Sequence, residues 1–416
     1  MDDTVFTVIV TILNVVIILS LILGIINLIF ALKSIYYRKT YVSKAKKLYD
    51  DSNPLSVALF IPCKGIEEHV DDYLNGMLGQ DYPDFRVYFI TESEKDPATP
   101  LISDLIKDKK NASLVIAGRT TKCCQKNHNL LAGVREELKQ NKAADYFVFA
   151  DADVQPNKTW LKDLVQPLSS ADVQATTAFR WLKPKKFSFF GTMHAMLSAY
   201  LGTLMSSSDG MWGGSMAIKR EDFIKYGVDK RWETAVADDI SLMEIVIKNK
   251  LKRVFVPICS AESSSVINDG TALFEWFLRQ IQYLKTYCKV HWITSIIFIS
   301  LNTITTILLL ALSLYGLLYY DILSASLSWQ LCNLNPIIVL WILCILFIMI
   351  MSMSRFEGKE GQSYFIWCLM MTPSIIMGFI CLIASIFRSD MIWRGIRYGI
   401  NKDGTVSFVK VEKENG

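Results

Sequence analysis

Two aspartates separated by one residue, Asp151 and Asp153, directly follow the hydrophobic segment Tyr146–Ala150. Side chains two residues apart on an extended chain point to the same side, so both carboxylates can face one cation. Hard divalent cations take oxygen ligands and usually also bind substrate phosphates. The preceding segment has the composition of a buried strand, and ligands of parallel sheets collect at the carboxyl ends of strands. The pattern therefore predicts a site for Mg²⁺ or Mn²⁺ in preference to a solvated turn.

Three further acids, Glu92, Glu94 and Asp96, follow a second strand-like segment at residues 86–90. A carboxylate at a strand end can hold a nucleoside by hydrogen-bonding its base or ribose, as acidic residues do in dinucleotide-binding folds. The alternative is a polar turn before the helix predicted near Pro100. The spacing does not distinguish the three acids, so all three are candidates for contact with a nucleotide.

Lys126 and Asn129 lie at the predicted entrance to a helix. Helix N-termini attract anions, and a lysine binds phosphate as a point charge, so this position suits a diphosphate. A second predicted helix opens with Asp238 and Asp239. N-capping accounts for one acid in a first turn, which leaves the other available as a general base.

The sequence lacks the motifs of several other functional classes. It contains no GxGxxG fingerprint, no Walker-type glycine–lysine loop, no GxSxG elbow and no zinc spacing among its four histidines. The net charge of +4 and the absence of a basic motif give no indication of a nucleic-acid partner. The nine cysteines show no paired spacing, which is typical of reduced thiols in a reducing compartment.

Short apolar segments alternate with polar, helix-like segments in the middle of the chain, and this alternation predicts a mostly parallel sheet built from right-handed βαβ units. The predicted strands are 56–62, 86–90, 114–117 and 146–150, and the predicted helices include 70–78, 100–107 and 130–138. We assign residues 51–270 to one α/β domain, whose carboxyl edge carries the candidate residues.

Uncharged apolar segments at both ends predict a multi-pass integral membrane protein. Residues 5–32 exceed the about 20 apolar residues that span a bilayer as a helix. Basic residues from Lys33 to Lys47 follow without an acid, so the positive-inside rule predicts a signal anchor and a cytoplasmic α/β domain. Residues 292–319, 336–353 and 364–387 are also long enough to span.

The charge of the C-terminal segment constrains the topology. Four full crossings would place this basic segment outside, so one of the three apolar stretches is expected to lie in the interface or to re-enter. The complete division is a signal anchor with its basic segment (1–50), the α/β domain (51–270), an interfacial amphipathic segment (271–291), membrane segments (292–390) and a basic tail (391–416).

In this order the motifs resemble those of the inverting GT-A glycosyltransferases, and most closely the ceramide glucosyltransferase family with its hopanoid-associated bacterial relatives. The resemblance is carried by Glu92-Ser93-Glu94-Lys95-Asp96-Pro97-Ala98, Lys126-x-x-Asn129-Leu130, Asp151-Ala152-Asp153, Thr177-x-x-Arg180, Gly214-Ser215-Met216, Ala237-Asp238-Asp239 and Trp393-Arg394-Gly395-x-x-Tyr398. The sequence departs from the family in two motifs. Glu92 replaces the usual aspartate, and Gln282-Tyr283 replaces the Arg-Trp that follows Arg279 in the motif.

The resemblance implies a GT-A nucleotide-sugar-binding domain, flanked by transmembrane helices, that acts at a membrane bilayer. It would transfer a sugar from UDP-glucose or UDP-N-acetylglucosamine to a lipid hydroxyl such as that of ceramide. Asp153, helped by Asp151, would hold the metal on the diphosphate, and Asp239 would be the base in a single inverting displacement that gives a β-linked glycolipid. The implied donor side comprises Glu92, Glu94, Asp96, Lys126, Asn129, Asp151 and Arg279, and the implied acceptor side comprises Asp238, Gly214, Ser215, Gln282 and Tyr283.

Two alternative interpretations share the same fold. A processive polysaccharide synthase would use the same acids but would also need a channel of several helices, and it would give a ladder of sugar products. A catalytically inactive membrane scaffold is suggested by the departures at Glu92 and Gln282. Metal-dependent turnover of a UDP-sugar distinguishes an enzyme from such a scaffold.

Overall fold

The computed structural model describes residues 3–45, 55–66, 70–207, 210–263, 266–318, 336–353 and 362–411. Several sequence predictions fall outside these ranges. They are the basic residues Lys46 and Lys47, the domain boundary between residues 50 and 51, the last residue of the apolar stretch 292–319, and residues 412–416 of the tail.

Nine strands build the described part of the α/β domain. Along the chain they are β1 (Val57–Pro62), β2 (Phe85–Thr91), β3 (Ala112–Ile116), β4 (Tyr146–Ala150), β5 (Ala175–Thr177), β6 (Arg180–Leu182), β7 (Ser215–Lys219), β8 (Arg253–Phe255) and β9 (Ala261–Ser263). Seven of them form the central sheet in the order β3-β2-β1-β4-β7-β5-β8, and β7 alone runs antiparallel to its neighbours β4 and β5. Strands β6 and β9 form a separate parallel pair. The predicted α/β class with a mostly parallel sheet is confirmed.

Helices cover both faces of this sheet, and further helices precede and follow the α/β domain. They are α1 (Asp3–Ala45), α2 (Val70–Leu78), α3 (Ala98–Ile106), α4 (Gln125–Glu137), α5 (Trp160–Val165), α6 (Phe189–Ser207), α7 (Arg220–Lys225), α8 (Val228–Trp232), α9 (Asp238–Lys248), α10 (Gly270–Tyr287), α11 (Lys289–Leu318), α12 (Pro336–Met353) and α13 (Tyr364–Phe387), with 3₁₀ helices at Gln166–Ser169 and Pro257–Cys259. Helix α4 begins at Gln125 and not at Leu130 as predicted, so Lys126 lies in its first turn.

Alternate side chains of the central strands enter two different hydrophobic layers. On one face, Phe60 and Phe147 are fully buried beneath α4 and α9. On the other face, Leu59 and Val148 are fully buried against a layer that includes Trp160 of α5. Because both faces are covered, these strands are apolar at nearly every position, which is why the sequence alone predicted them.

A buried carboxylate fixes the position of α4. Glu137 accepts hydrogen bonds from Nε and Nη2 of Arg86 at 3.0 and 2.5 Å, from the Tyr88 hydroxyl at 2.7 Å, and from the Ala144 amide at 2.6 Å. These contacts tie the end of α4 to β2 and to the segment before β4. They thereby set the position of the first turn of α4, which carries Lys126.

The apolar helices confirm membrane association. Among the described residues, the helices long and apolar enough to cross a membrane are Asn14–Tyr41 within α1, Lys289–Tyr315 within α11, and Tyr364–Phe387, which is α13. A shorter apolar helix spans Leu340–Met353 within α12. The hydroxyl of Tyr37 in α1 donates a hydrogen bond to the carbonyl oxygen of Phe255 at 2.9 Å, so the first membrane helix contacts the α/β domain directly.

The segment that sequence analysis described only as a basic tail folds into an antiparallel sheet. Its strands are β10 (Asp390–Trp393), β11 (Ile396–Ile400) and β12 (Val406–Val411). Tyr398 of β11 is fully buried, and its hydroxyl accepts a hydrogen bond from the Gln125 amide at 3.3 Å. The Tyr287 hydroxyl accepts from the Val236 amide and donates to the Gly404 carbonyl, both at 2.8 Å. The sheet therefore packs against the entrances of α4 and α9.

Replacement of the buried carboxylate tests the anchoring of α4. Glu137→Ala leaves Arg86 and Tyr88 without their shared partner, and we expect it to lower the free energy of unfolding by about 3 kcal/mol. The neighbouring Glu136→Ala is the control, because Glu136 makes only an exposed pair with Lys139 and its loss should cost less than about 1 kcal/mol. Denaturant unfolding in detergent measures both, and equal effects would contradict the anchoring role.

Candidate active site

A cavity of about 520 Å³ opens at the carboxyl edge of the central sheet. Its walls include Lys64 after β1, Asp151 after β4, Asp239 of α9, Tyr283 of α10 and Thr294 in the second turn of α11. Binding sites for small molecules are typically of this size. The cavity thus joins the strand ends, where the sequence predicted the chemistry, to a helix that is a candidate to cross the membrane.

Lys126 forms an ion bridge between two carboxylates in this cavity. Its Nζ lies 2.7 Å from Oδ1 of Asp151 and 2.9 Å from Oδ2 of Asp238. The three side chains are 15%, 29% and 6% exposed, respectively, so the ions are largely removed from water. The bridge connects α4, the end of β4 and the start of α9. Sequence analysis assigned Lys126 to a diphosphate, whereas here two carboxylates bind it.

The bridge determines the ionisation of its members. Burial opposes the charged form of Lys126, but Asp151, Asp238 and Asp239 hold its pKa well above the ordinary value. Burial likewise opposes ionisation of Asp151, but the adjacent charge and hydrogen bond of Lys126, with the charges of Arg180 and Arg394, keep the pKa of Asp151 below its ordinary value. Lys126 and Asp151 are therefore both charged at neutral pH.

Gly213 is required for this close approach. A Cβ at this position would lie 2.3 Å from Oδ2 of Asp238 and 2.8 Å from Nζ of Lys126, so the carboxylate and the ammonium group would have to shift from their present positions. The amide of Gly213 also donates a hydrogen bond to Oδ2 of Asp239 at 2.9 Å. Gly213 thus lies against both acids of α9.

Asp239 has the properties of a general base. Its carboxylate accepts hydrogen bonds from the amides of Gly213 at 2.9 Å and Ile240 at 2.7 Å. Burial and the neighbouring Asp238 raise the pKa of Asp239 to about 7, against the opposing charge of Lys126. Asp239 is partly exposed to the cavity, whereas Asp238 is buried in the ion bridge. A carboxylate with a pKa near neutrality is suited to accept a proton.

Asp153 and Asp151 both line the cavity, but they face different cations. Oδ2 of Asp153 lies 3.0 Å from Nη1 of Arg180, whereas Asp151 pairs with Lys126. The chain turns after Ala150 and does not continue as an extended strand, which explains why the two side chains diverge.

The residues present fit a divalent cation held together with a diphosphate. No cluster of three or more His, Cys, Asp or Glu side chains suited to a metal occurs in the described part of the chain. Mg²⁺ commonly takes one or two carboxylates and completes its shell with water and substrate phosphates, which matches the donor set of Asp151 and Asp153. The charged side chains that line the cavity are balanced, because Lys64, Lys126, Arg180, Arg279 and Arg394 stand against Glu92, Asp151, Asp153, Asp238 and Asp239. A diphosphate therefore needs additional positive charge, and a divalent cation would provide it.

The three acids after β2 have different surroundings. Glu92 lines the cavity, accepts a hydrogen bond from Nε of Arg119 at 2.9 Å, and lies 3.8 Å from Nζ of Lys64. Glu94 is exposed and does not line the cavity. Asp96 is nearly buried and accepts hydrogen bonds from the amide of Gly65 at 2.8 Å and from that of Ala98 at 3.0 Å. Asp96 thus holds the loop after β1 against the start of α3.

Asn129, Gly214 and Ser215 make contacts within the protein that support the cavity wall. Asn129 lines the cavity, but its Oδ1 accepts a hydrogen bond from Nε2 of Gln125 at 2.8 Å. Ser215 is fully buried, and its Oγ accepts from Nε1 of Trp160 at 3.0 Å. A Cβ on Gly214 would lie 2.2 Å from the ring of Trp212, so this glycine allows that ring to reach the cavity.

The motif on α10 divides between the cavity and the C-terminal sheet. Arg279 and Tyr283 line the cavity, and Nη1 of Arg279 donates to the carbonyl oxygen of Ile392 at 3.3 Å. Gln282 is buried outside the lining and donates from Nε2 to the carbonyl oxygen of Asp390 at 2.7 Å. The glutamine that replaces the family arginine therefore holds β10 in place.

Sequence analysis missed several residues of the cavity wall as site candidates. Lys64 follows β1 in Cys63-Lys64-Gly65, and the rule on strand ends, applied to this first strand, could have found it. Arg180 lies in a quoted motif, but no role was assigned to it. Trp393 and Arg394 line the cavity from the C-terminal sheet, and no local pattern placed them there.

A family model matches most of the chain. The model of Glycosyl transferase family 21 matches residues 26–406, from within α1 to the start of β12. The chain therefore belongs to this family, and it is a glycosyltransferase. No curated protein sequence matches the chain.

Several solved structures are similar to the chain. A mannosyltransferase, PcManGT from Pyrobaculum calidifontis in complex with GDP-Man and Mn²⁺, is 16% identical, with a TM-score of 0.45, and the match covers 87% of this chain and 99% of that one. Glucosyl-3-phosphoglycerate synthase from Mycobacterium tuberculosis in complex with phosphoglyceric acid is 15% identical, with a TM-score of 0.37 and coverage of 56% and 80%. GalNAc-T7 with UDP, GalNAc and Mn²⁺ is 12% identical, with a TM-score of 0.37 and coverage of 57% and 49%.

The raised pKa of Asp239 predicts how activity depends on pH. Only the ionised carboxylate accepts a proton, and a pKa of about 7 means that this form is lost as the pH falls through neutrality. We expect kcat/KM to fall about tenfold for each pH unit below this pKa and to level off above it. Rates measured from about pH 5.5 to about pH 8, with the folded state checked at each pH, test this expectation. A flat profile would exclude Asp239 as the titrating base.

Proposed function

We propose that this glycosyltransferase transfers a sugar from a nucleotide sugar, UDP-glucose or a related donor, to a lipid hydroxyl such as that of ceramide. The observation that carries the proposal is the continuity of the cavity. The cavity that contains Asp239 is also lined by His291, Thr294 and Ser295, which lie in the first two turns of α11. Because α11 is long and apolar enough to cross a membrane, an acceptor can reach the base from the bilayer surface.

Apolar side chains of the same cavity support an acceptor with a hydrocarbon part. They include Leu201 and Met205 of α6, Met243 of α9, and Trp276 and Leu284 of α10. Such side chains gain free energy by contact with an alkyl chain, at about 25 cal/mol per Å² of apolar surface removed from water. A polar acceptor such as a soluble sugar would leave this surface without a matching partner.

The opposite side of the cavity supports a nucleotide-sugar donor. Glu92 is our choice for contact with the nucleoside, because it lines the cavity while Glu94 and Asp96 do not. Asp151 and Asp153 would hold Mg²⁺ or Mn²⁺, which when bound neutralises negative charge on the diphosphate. The donor thus extends from the end of β2 towards the end of β4, and the sugar points towards α9.

The proposed chemistry is a single displacement. Asp239 takes the proton from the acceptor hydroxyl as the oxygen bonds to the anomeric carbon, and the bond from that carbon to the diphosphate oxygen breaks on the opposite face. The amides of Gly213 and Ile240 hold the carboxylate in place for this step. One displacement inverts configuration, so an α-linked donor gives a β-linked glycolipid.

We place the α/β domain on the cytoplasmic side of the membrane. The basic residues that follow the first apolar segment, among them Lys33, Arg38 and Lys39, favour the cytoplasm by the positive-inside rule. Nucleotide sugars supplied in the cytoplasm can then enter the cavity directly, and the glycolipid forms in the cytoplasmic leaflet.

Lipid extraction after incubation with labelled donors tests the proposed function. Membranes that contain the protein are incubated with a panel of radiolabelled nucleotide sugars, with and without added ceramide, and the lipids are extracted. We expect one labelled glycolipid from a UDP-sugar and none from membranes without the protein. A ladder of products would instead favour a processive synthase, and no labelled product from any donor would favour an inactive scaffold.

Sealed vesicles of known orientation provide the test of sidedness. A nucleotide sugar added outside does not cross a bilayer. Radiolabelled sugar should therefore be incorporated into lipid when the cytoplasmic face of the vesicle is outward. Incorporation only in vesicles of the opposite orientation would contradict the cytoplasmic placement.

Removal of the basicity of Asp239 tests the proposed base. The N-cap of α9 is Ala237, so the predicted capping role of an aspartate is wrong and a substitution at Asp239 removes no cap. Asp239→Asn keeps the size and the hydrogen-bonding shape of the side chain, so we expect a folded protein whose rate falls by about 10²–10⁴ while donor affinity is nearly unchanged. Asp238→Asn is the matched control. It removes a charge from the ion bridge, and we expect a milder loss of rate with a larger loss of stability. Wild-type rates in Asp239→Asn would make Asp238 the candidate base.

Asp153→Ala tests the metal ligand. Alanine supplies no oxygen, so we expect metal-dependent activity to fall by about a hundredfold or more and the enhancement of UDP binding by Mn²⁺ to disappear. Binding of UDP without metal should change little and serves as the control for folding. Undiminished dependence on Mn²⁺ or Mg²⁺ would show that the carboxylate of Asp153 only pairs with Arg180.

A further inference from the structure

Arg394 reaches the cavity on a tight turn between β10 and β11. Trp393 pairs with Ile396 across the hairpin, so Arg394 and Gly395 are the two residues of the turn. Both have positive φ values, 46° for Arg394 and 73° for Gly395. Two-residue hairpin turns of this kind favour Asn-Gly or Gly-Gly, because a positive φ is unfavourable for a residue with a longer side chain.

The arginine is therefore an unusual residue for its backbone conformation. Non-glycine residues in this region are strained, and such strain persists where the surrounding structure imposes it, often at ligand sites. A glycine or an asparagine would fit the turn better than Arg394 does. The backbone conformation does not account for an arginine at this position, which points to a role for its guanidinium group in the cavity that Arg394 lines.

Helix α10 fixes the strand that leads into this turn. Gln282 and Arg279 donate hydrogen bonds to the carbonyl oxygens of Asp390 and Ile392 at 2.7 and 3.3 Å. On the other side of the turn, Tyr398 is fully buried beside the entrance of α4. Both strands of the hairpin are held, so the turn has a defined position at the cavity.

The turn lies between the nucleoside end and the metal end of the site. Nη1 of Arg394 lies 3.4 Å from the carbonyl oxygen of Lys64, and Nζ of Lys64 lies 3.5 Å from the carbonyl oxygen of Arg394. Lys64 in turn lies 3.8 Å from the carboxylate of Glu92. Arg394, Lys64, Glu92 and Asp151 all line the same cavity.

We propose that Arg394 binds the diphosphate of the donor. The inference rests on the proposed function, since it requires a nucleoside diphosphate between Glu92 and Asp151. A guanidinium can bind phosphate oxygens with two parallel hydrogen bonds, which a lysine cannot do. The guanidinium carbon of Arg394 lies 5.8 Å from the ring centre of Trp393, so the adjacent ring supports the side chain. A residue of the C-terminal sheet thereby completes a site whose other parts belong to the α/β domain.

Binding of UDP and uridine to the full-length protein in detergent, with Mn²⁺ present, tests this inference. Arg394→Gly removes the guanidinium and also relieves the positive φ. We expect at least about a tenfold loss of UDP affinity, no change in uridine affinity, and a thermal midpoint no lower than that of the wild type. Arg394→Lys should recover part of the UDP affinity. Arg397→Gln, which changes an arginine on β11 that pairs with Asp390 outside the cavity, should bind UDP as the wild type does.

The outcomes separate this inference from the proposed function. Wild-type UDP affinity in Arg394→Gly would overturn the role of Arg394 and leave the proposed function standing. An equal loss of UDP and uridine affinity would also overturn it, because the defect would then not concern the diphosphate. A wild-type protein that binds neither UDP nor uridine would contradict the proposed UDP-sugar donor and, with it, this inference.

Discussion

The ion bridge of Lys126 is the interaction on which the rest of the site depends. One ammonium group lies within 3 Å of the carboxylates of Asp151 and Asp238, which come from two other elements of the fold. Without this cation, both largely buried carboxylates would lose their direct ion pair, at a cost of several kcal/mol. The bridge requires a backbone without a side chain beside it, which Gly213 provides. It also leaves Asp239 as the carboxylate of α9 that faces the cavity with a raised pKa.

The surrounding elements fix the position of this bridge. Glu137 positions α4, and therefore Lys126, from the opposite end of the helix. The C-terminal sheet holds the entrance of α9, since the amide of Val406 donates to the carbonyl oxygen of Thr234 at 2.8 Å. Helix α10 lines the cavity and contacts this sheet. Helix α11, a candidate membrane helix, follows α10 directly. The candidate site and the start of a candidate membrane helix thus share one cavity.

Sequence alone predicted the parts of this arrangement that depend on local patterns. Strands β1, β2 and β4 are buried on both faces and therefore read as apolar runs, and the acids at their ends were found by position. The bridge could not be predicted, because Lys126, Asp151 and Asp238 are far apart along the chain and a helix entrance suggested a phosphate instead. The C-terminal sheet was missed because its short strands mix charged and apolar residues. The roles of Gln282 and Arg394 depend on this sheet, because Gln282 binds β10 and Arg394 lies in the turn after it.

A double-mutant cycle between Lys126 and Asp238 tests the central claim most directly. Unfolding free energies are measured in detergent for the wild type, Lys126→Met, Asp238→Asn and the double variant. If the ion bridge organises the site, Asp238→Asn will cost about 1–3 kcal/mol less in the Lys126→Met background than in the wild type, because the buried carboxylate has already lost its partner. An equal cost in both backgrounds would show that Lys126 does not stabilise Asp238, and the account of the site would be wrong.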